Sequence, residues 1–241
     1  MIVRIFSSNF HQMDFNTFLS KLSNDPVKVI APSVDFSSYV SIDLSKDNKA
    51  LQNFDTSCSQ LWIIYINQYL QNLNKSIAFG GYLESRLIYS RSDHFKSNNI
   101  LEDRNIHLGM DLWCAAETPV LAAFDGVVHS FKNNTNHGDY GPTIVLKHCI
   151  DNVEFYTLYG HLSSLSIETL NKNTQITKNQ VIGYLCDSSV NGDYAPHLHF
   201  QIIKDIEGFE GDYPGVCSQN NLAFYSANCP NPNLILKLDR D

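Results

Sequence analysis

Between residues 119 and 203 the chain runs through "PVLAAF", "GVVHSF", "TIVLKH", "EFYTLYGHL", "QVIGYLC" and "HLHFQII". Each run has the length and the β-branched or aromatic content of a strand. The segments between them, "DG", "KNNTNHGDYGP", "IDN", "NKNTQITKN" and "DSSVNGDYAP", are turn chemistry, rich in Gly, Asn and Asp. None of them carries the apolar three-and-four period of a crossover helix. Strands joined by turns alone pair antiparallel. The pattern therefore predicts a mainly β unit, an antiparallel sandwich or barrel-like domain.

The first 95 residues read differently. "SQLWIIYINQYLQNLN" (59–74) sets Trp62, Tyr65, Ile66, Tyr69, Leu70 and Leu73 at helical spacing, with Ser59 placed to cap the helix. "DFNTFLSKL" (14–22) predicts a second helix, and "NDPVKVIAPSVDFSSYVSIDLS" predicts irregular strands broken by proline. The expectation is a mixed α/β extension over residues 1–95. Its apolar stripe needs a surface to cover, and the large surface on offer is the β domain of residues 96–241.

Composition narrows the function classes. Hydrophobic residues make up 43% of the 241 positions, enough for one large core or two small ones. The balance of 25 acidic and 17 basic residues leaves a net charge of −8, with no Lys/Arg cluster, which speaks against nucleic acid and anionic membranes as partners. Apolar runs such as "LWIIYI" are too short to span a bilayer. The opening "MIVRIFSSNFHQMDF" turns polar early and lacks a small-residue cleavage site, so a cytoplasmic chain is expected. Cys58, Cys114, Cys149, Cys186, Cys217 and Cys229 form no C-x-x-C pair and read as reduced thiols, with pairing of Cys217 and Cys229 left open.

The chemistry sits in the histidines. In "APHLHFQII" His197 and His199 are two apart, so on a strand they share a face opposite Leu198 and Phe200. A lone buried histidine is usually satisfied by the backbone; two on one face of an apolar strand call for a site. In "HLGMD", His107 and Asp111 are four apart and share a face on a strand or a helix, with Gly109 favouring the strand. Together the two stretches offer two imidazoles and a carboxylate, the ligand set of a catalytic zinc site with one open position. His161 in "LYGHLSSL" is a third element, by itself no more than a strand-end histidine. His137 and His148 have no ligand motif around them and read as structural.

The ordered set "HLGMD", "YGHLS" and "APHLHFQ" resembles the lysostaphin-type (LytM-like) zinc metallopeptidases, which cut peptide cross-links in bacterial cell walls. The resemblance implies one zinc ion held by His107, Asp111 and His199, with His161 and His197 as catalytic residues. It implies a peptide or peptidoglycan-derived substrate of cell-wall type, or a small peptide containing Gly or D-Ala. Loops 132–142 and 187–196 would wall a groove, with Tyr140 and Tyr194 as substrate contacts. "GGYLESRLIYSRSDHF" and "GDYPGVC" with "CPNPNLIL" resemble a narrower subgroup, often joined to a class III aminotransferase in cytoplasmic proteins. Latent relatives carry a preceding segment that blocks the zinc. Here "SRSDHFKSNNILEDRN" offers Asp93, His94 and Asn105 for that role but no single motif, and an open site is expected. Three alternatives stay open: a binding module of the same fold without turnover, a zinc amidohydrolase acting on a small amino-acid conjugate, and a structural zinc site. The last is disfavoured because three ligands leave the metal open.

Overall fold

The computed structural model describes residues 14–238; residues 1–13, which the sequence reads as unlike a secretion signal, lie outside the described residues. The strands are β1 (Tyr39–Ser41), β2 (Ile77–Gly80), β3 (Ile106–His107), β4 (Met110–Trp113), β5 (Pro119–Leu121), β6 (Gly126–Asn134), β7 (Gly141–Ile150), β8 (Val153–Gly160), β9 (Gln175–Ile176), β10 (Val181–Tyr184), β11 (His197–Ile203) and β12 (Val216–Cys217). Eight of them form one mixed sheet in the order β1-β2-β4-β11-β8-β7-β6-β9, and β10-β5 and β12-β3 form two small ladders. Among the described residues only the β1–β2 pair is parallel. Every apolar run from 119 to 203 contributes a strand, so the mainly β reading holds.

Local chemistry explains the register. Asp151 and Asn152 connect β7 to β8 with φ of 51° and 62°, and Ile150 pairs with Val153 across them. Two central residues of positive φ match the right-handed twist of a hairpin, and Asp and Asn tolerate that region better than most residues. The hairpin feeds β11, where Leu198, Phe200 and Ile202 enter the main core with Phe155, Tyr159 and Ile144. His197, His199 and Gln201 occupy the alternate positions, on the opposite face. That face is also buried.

The segment before residue 95 is woven into the same sheet. Ala78, Phe79 and Gly80 of β2 pair with Trp113, Leu112 and Asp111 of β4, so a hydrogen-bonded ladder crosses the division that the sequence suggests. Helix α1 (Phe15–Lys21) is capped by Asp14, which accepts from the backbone N–H groups of Asn16 and Thr17. Helix α2 (Ser59–Leu73) buries Trp62, Ile66 and Leu70 against Val40, Ala78, Trp113 and Ala195. Each such side chain contributes roughly 1.5–3 kcal/mol on burial, which fixes α2 beside the histidine face. Two details differ from the sequence reading. The stripe ends at Leu70, since Leu73 is exposed. Cys58, not Ser59, is the N-cap and makes no side-chain cap bond, because Ser59 is already in the first helical turn. All six cysteines are free, and no helix among the described residues is long and apolar enough to cross a membrane.

Candidate metal centre

Four neighbouring strands put one row of residues across the sheet: Gly80 of β2, Asp111 of β4, His199 of β11 and Gly160 of β8. His107 enters from β3, and Leu108 and Gly109 carry the chain from there into β4. A Cβ at Gly109 would lie 2.6 Å from both Cε1 and Nε2 of His199, so only hydrogen fits between the strand and that ring. His197 pairs across the ladder with Trp113, and their rings stack 5.7 Å apart. His161 follows β8 directly with φ of 64°, a left-handed conformation uncommon for histidine. Its ring centroid lies 4.1 Å from that of His197.

Hydrogen bonding assigns the tautomers, because a carbonyl oxygen can only accept. Nδ1–H of His107 donates to the Gly81 carbonyl at 3.0 Å, leaving Nε2 bare. Nε2–H of His199 donates to Oε1 of Gln201 at 2.9 Å, leaving Nδ1 bare. Gln201 is oriented in turn by its amide N–H groups, which donate to the Pro214 carbonyl and to Sγ of Cys229. His161 and His197 donate from Nδ1 to the carbonyls of Asn191 and Ala195, at 2.8 and 2.7 Å, so both keep a bare Nε2.

The bare nitrogens of His107 and His199 face each other at 2.8 Å, and Oδ1 of Asp111 is 3.1 Å from each. Three acceptors converge with no donor among them. Such a cluster could hold a metal ion. Ligand bonds of 2.0–2.1 Å in a tetrahedral zinc site place ligand atoms roughly 3.3 Å apart, and this set already lies within a few tenths of an ångström of that spacing. His107, Asp111 and His199 are also the single His/Cys/Asp/Glu group among the described residues that could hold a metal ion.

The electrostatics fit neutral imidazoles around one carboxylate. Burial pushes His107 down to about 4 and holds His161 and His197 below the ordinary histidine value, with the neighbouring histidines adding to the shift of His161. Burial pushes the Asp111 carboxyl up, but His107 and Arg86 outweigh it and hold the group well below the usual carboxylate range. At neutral pH the bare nitrogens of His107, His161 and His197 are therefore available as metal ligands or proton acceptors.

A cavity of about 170 Å³ opens onto His107, Asp111, His161, His197 and His199. Tyr140 and Tyr194 line it, but their hydroxyls donate to the carbonyls of Tyr213 and Gly138, while their rings pack on the histidines. Trp62 and Ile66 of α2, with Tyr89 and Phe95, add apolar lining to the same cavity. Of the candidate blocking residues, Asp93 is exposed and pairs with Lys96, His94 faces Asp139 at 3.7 Å, and Asn105 is exposed. The residue from this part of the chain that does reach the cluster is Arg86, bonded to Asp111. Sequence reading missed it, along with Glu84, Gly81 and Gln201. Only Gln201 carried a local signal, two residues from His199 on the same face.

Residues 105–210 match the model described as Peptidase family M23. Among solved structures, the catalytic domain of lysostaphin from Staphylococcus simulans is 24% identical, with 66% of this chain and 96% of that chain covered and a TM-score of 0.40. A peptidase M23 candidate from Pseudomonas aeruginosa is 17% identical over 56% of this chain and 45% of that one, with a TM-score of 0.38. A zinc-containing peptidase from Vibrio cholerae is 25% identical over 45% of this chain and 30% of that one, with a TM-score of 0.33. This chain thus spans less than half the length of the Pseudomonas and Vibrio chains. No curated protein matches the chain.

Proposed function

We propose, from the premise that this chain carries a Peptidase family M23 domain over residues 105–210, that it is a zinc-dependent hydrolase of peptide bonds. The observation that carries the proposal is the convergence of three bare acceptors, Nε2 of His107, Nδ1 of His199 and Oδ1 of Asp111, with no donor between them. A zinc ion held there supplies Lewis acidity toward a carbonyl oxygen and lowers the pKa of bound water to about 7.

The remaining steps belong to side chains. His197, its Nε2 3.8 Å from Oδ1 of Asp111, and His161 beside it can each take a proton at a bare Nε2. Their Nδ1–H bonds to backbone carbonyls hold the rings in the tautomer that makes this possible. After accepting the proton, either ring becomes a donor to the developing oxyanion or to the departing amine. Tyr140 and Tyr194 brace those rings and border the space a peptide would fill. The side chains Trp62, Ile66, Tyr89 and Phe95 exclude water from one side of the cavity.

The substrate proposed is a peptide of cell-wall type or a short peptide containing Gly or D-Ala. A second reading, a small amino-acid conjugate or chain end, gains support from the small cavity of about 170 Å³, whose apolar lining includes Trp62, Ile66, Tyr89 and Phe95 from upstream of the family domain. The test is hydrolysis of muropeptides and short Gly and D-Ala peptides by zinc-loaded protein, repeated after chelation and after zinc is restored. Metal-dependent cleavage of any of these supports the proposal. Fully zinc-loaded protein that binds but never cleaves would favour the non-catalytic binding module.

A further inference from the structure

The shortest polar contact at the cluster comes from outside the family domain. Nη1 of Arg86 donates to Oδ2 of Asp111 at 2.5 Å, while Oδ1 of the same carboxylate faces the two ligand histidines. Nε of Arg86 donates to Oε2 of Glu84 at 2.6 Å, and Oε1 of Glu84 accepts from the backbone N–H of Leu44. The guanidinium lies over the Trp113 ring at 5.3 Å, and its Nη2 packs so closely on Gly81 that a Cβ there would come within 2.2 Å. The side chains of Arg86 and Asp111 are 5% and 1% exposed. Nη2 is buried without a hydrogen-bond partner. A buried guanidinium with an unsatisfied nitrogen is a costly way to fill space, so the placement calls for a reason beyond packing.

We propose that Arg86, seated by Glu84, is a positioning residue of the metal centre. It occupies the outer oxygen of Asp111 so that the carboxylate presents one oxygen to the metal and keeps the other away. The inference rests on the zinc reading above. Its physical content is that an ionised carboxylate has two equivalent oxygens, either or both of which can bind a metal. If both did so here, the position left open for water and substrate would be taken. A charge-assisted bond from a nearly immobile guanidinium removes that freedom. Gly81 takes part as well: its carbonyl holds His107, and its lack of a side chain, at φ of 108°, makes room for Arg86. The segment from 81 to 86 therefore acts as the outer shell for two of the three ligands.

The experiment uses full-length protein with cobalt(II) replacing zinc, because the visible bands of cobalt report coordination number. Arg86→Met should shift the spectrum toward higher coordination and weaken zinc binding roughly 10–100-fold, the usual loss when an outer-shell partner is removed. Arg86→Lys should recover part of both, and Glu84→Gln should produce a smaller change of the same kind. If Arg86→Met does not fold, the milder Arg86→Lys and Glu84→Gln decide by the same spectrum. Wild-type cobalt spectra in all variants that fold would overturn the proposal. Failure of the intact protein to take up either metal would instead strike down the zinc reading.

Discussion

Gly109→Ala adds one methyl group and tests whether the spacing of "HLGMD" is set by the metal centre. The new Cβ would lie 2.6 Å from Cε1 and Nε2 of His199 and 2.9 Å from the Phe200 carbonyl oxygen. Non-bonded carbon contacts settle at about 3.5–4.0 Å, so a gap of roughly 0.9 Å must open. The Phe200 carbonyl belongs to the β4–β11 ladder and cannot retreat without breaking it, which leaves the His199 ring to swing. Overpacking of this kind costs about 1–3 kcal/mol of stability. A misplacement near 1 Å at a reacting centre costs on the order of 10²-fold in rate, and a disturbed ligand shell costs roughly 10–100-fold in metal affinity. Chelator competition, thermal unfolding and peptide hydrolysis measure the three effects. Gly208→Ala is the control: its φ of 79° strains a side chain, but nothing lies within 4 Å of the added Cβ. The control should lose some stability and no zinc. Wild-type zinc affinity and turnover in Gly109→Ala would mean that the close approach to His199 does not set the ligand geometry.

Three further outcomes are expected. His161→Ala should retain zinc and lose hydrolysis by about 10²–10⁴-fold, and His197→Ala should behave similarly with somewhat weaker zinc; loss of zinc from His161→Ala would mean that its role is misassigned. His148 is buried, bonds the Asp125 carbonyl and Thr157, and is pushed down to about 4 by burial. Because the unfolded chain takes up this proton first, its contribution is complete above about pH 6.5 and lost as pH falls toward 4, a change of about 3 kcal/mol; chemical denaturation across that window should show a shallower acid loss in His148→Gln, and equal slopes would contradict the assignment. Deleting residues 1–95 removes β1, β2 and α2 and uncovers the face under Trp62, Ile66 and Leu70, so the remainder should aggregate without gaining activity; a soluble, faster truncation would identify the segment as a latency device.

The strands are legible in the sequence where alternation and turns are local. "IDN" announces its hairpin, and the spacing of His197 and His199 places both on one face of β11. The stripe of α2 is legible to Leu70 because packing follows the three-and-four period, but the helix start is obscured by a serine that looks like a cap. β2 cannot be read as part of the same sheet: "IAFG" is too short for a period, and its partner β4 lies some thirty residues on, across irregular chain. Arg86 is hidden for the same reason. Its contact is with a carboxylate 25 residues away, and nothing in its neighbours signals it. The candidate site residues are visible because spacing keeps them close: His197 and His199 share one face of β11, and although His107 and Asp111 lie on two strands rather than one, only Leu108 and Gly109 separate β3 from β4.

Elemental analysis of protein purified without added metal decides whether the three-acceptor cluster is a zinc centre. Close to one zinc per intact chain is expected, lost in His107→Ala, Asp111→Ala and His199→Ala. Zinc retained at full stoichiometry in those variants, or no zinc bound by the intact chain even when it is supplied, would contradict the assignment.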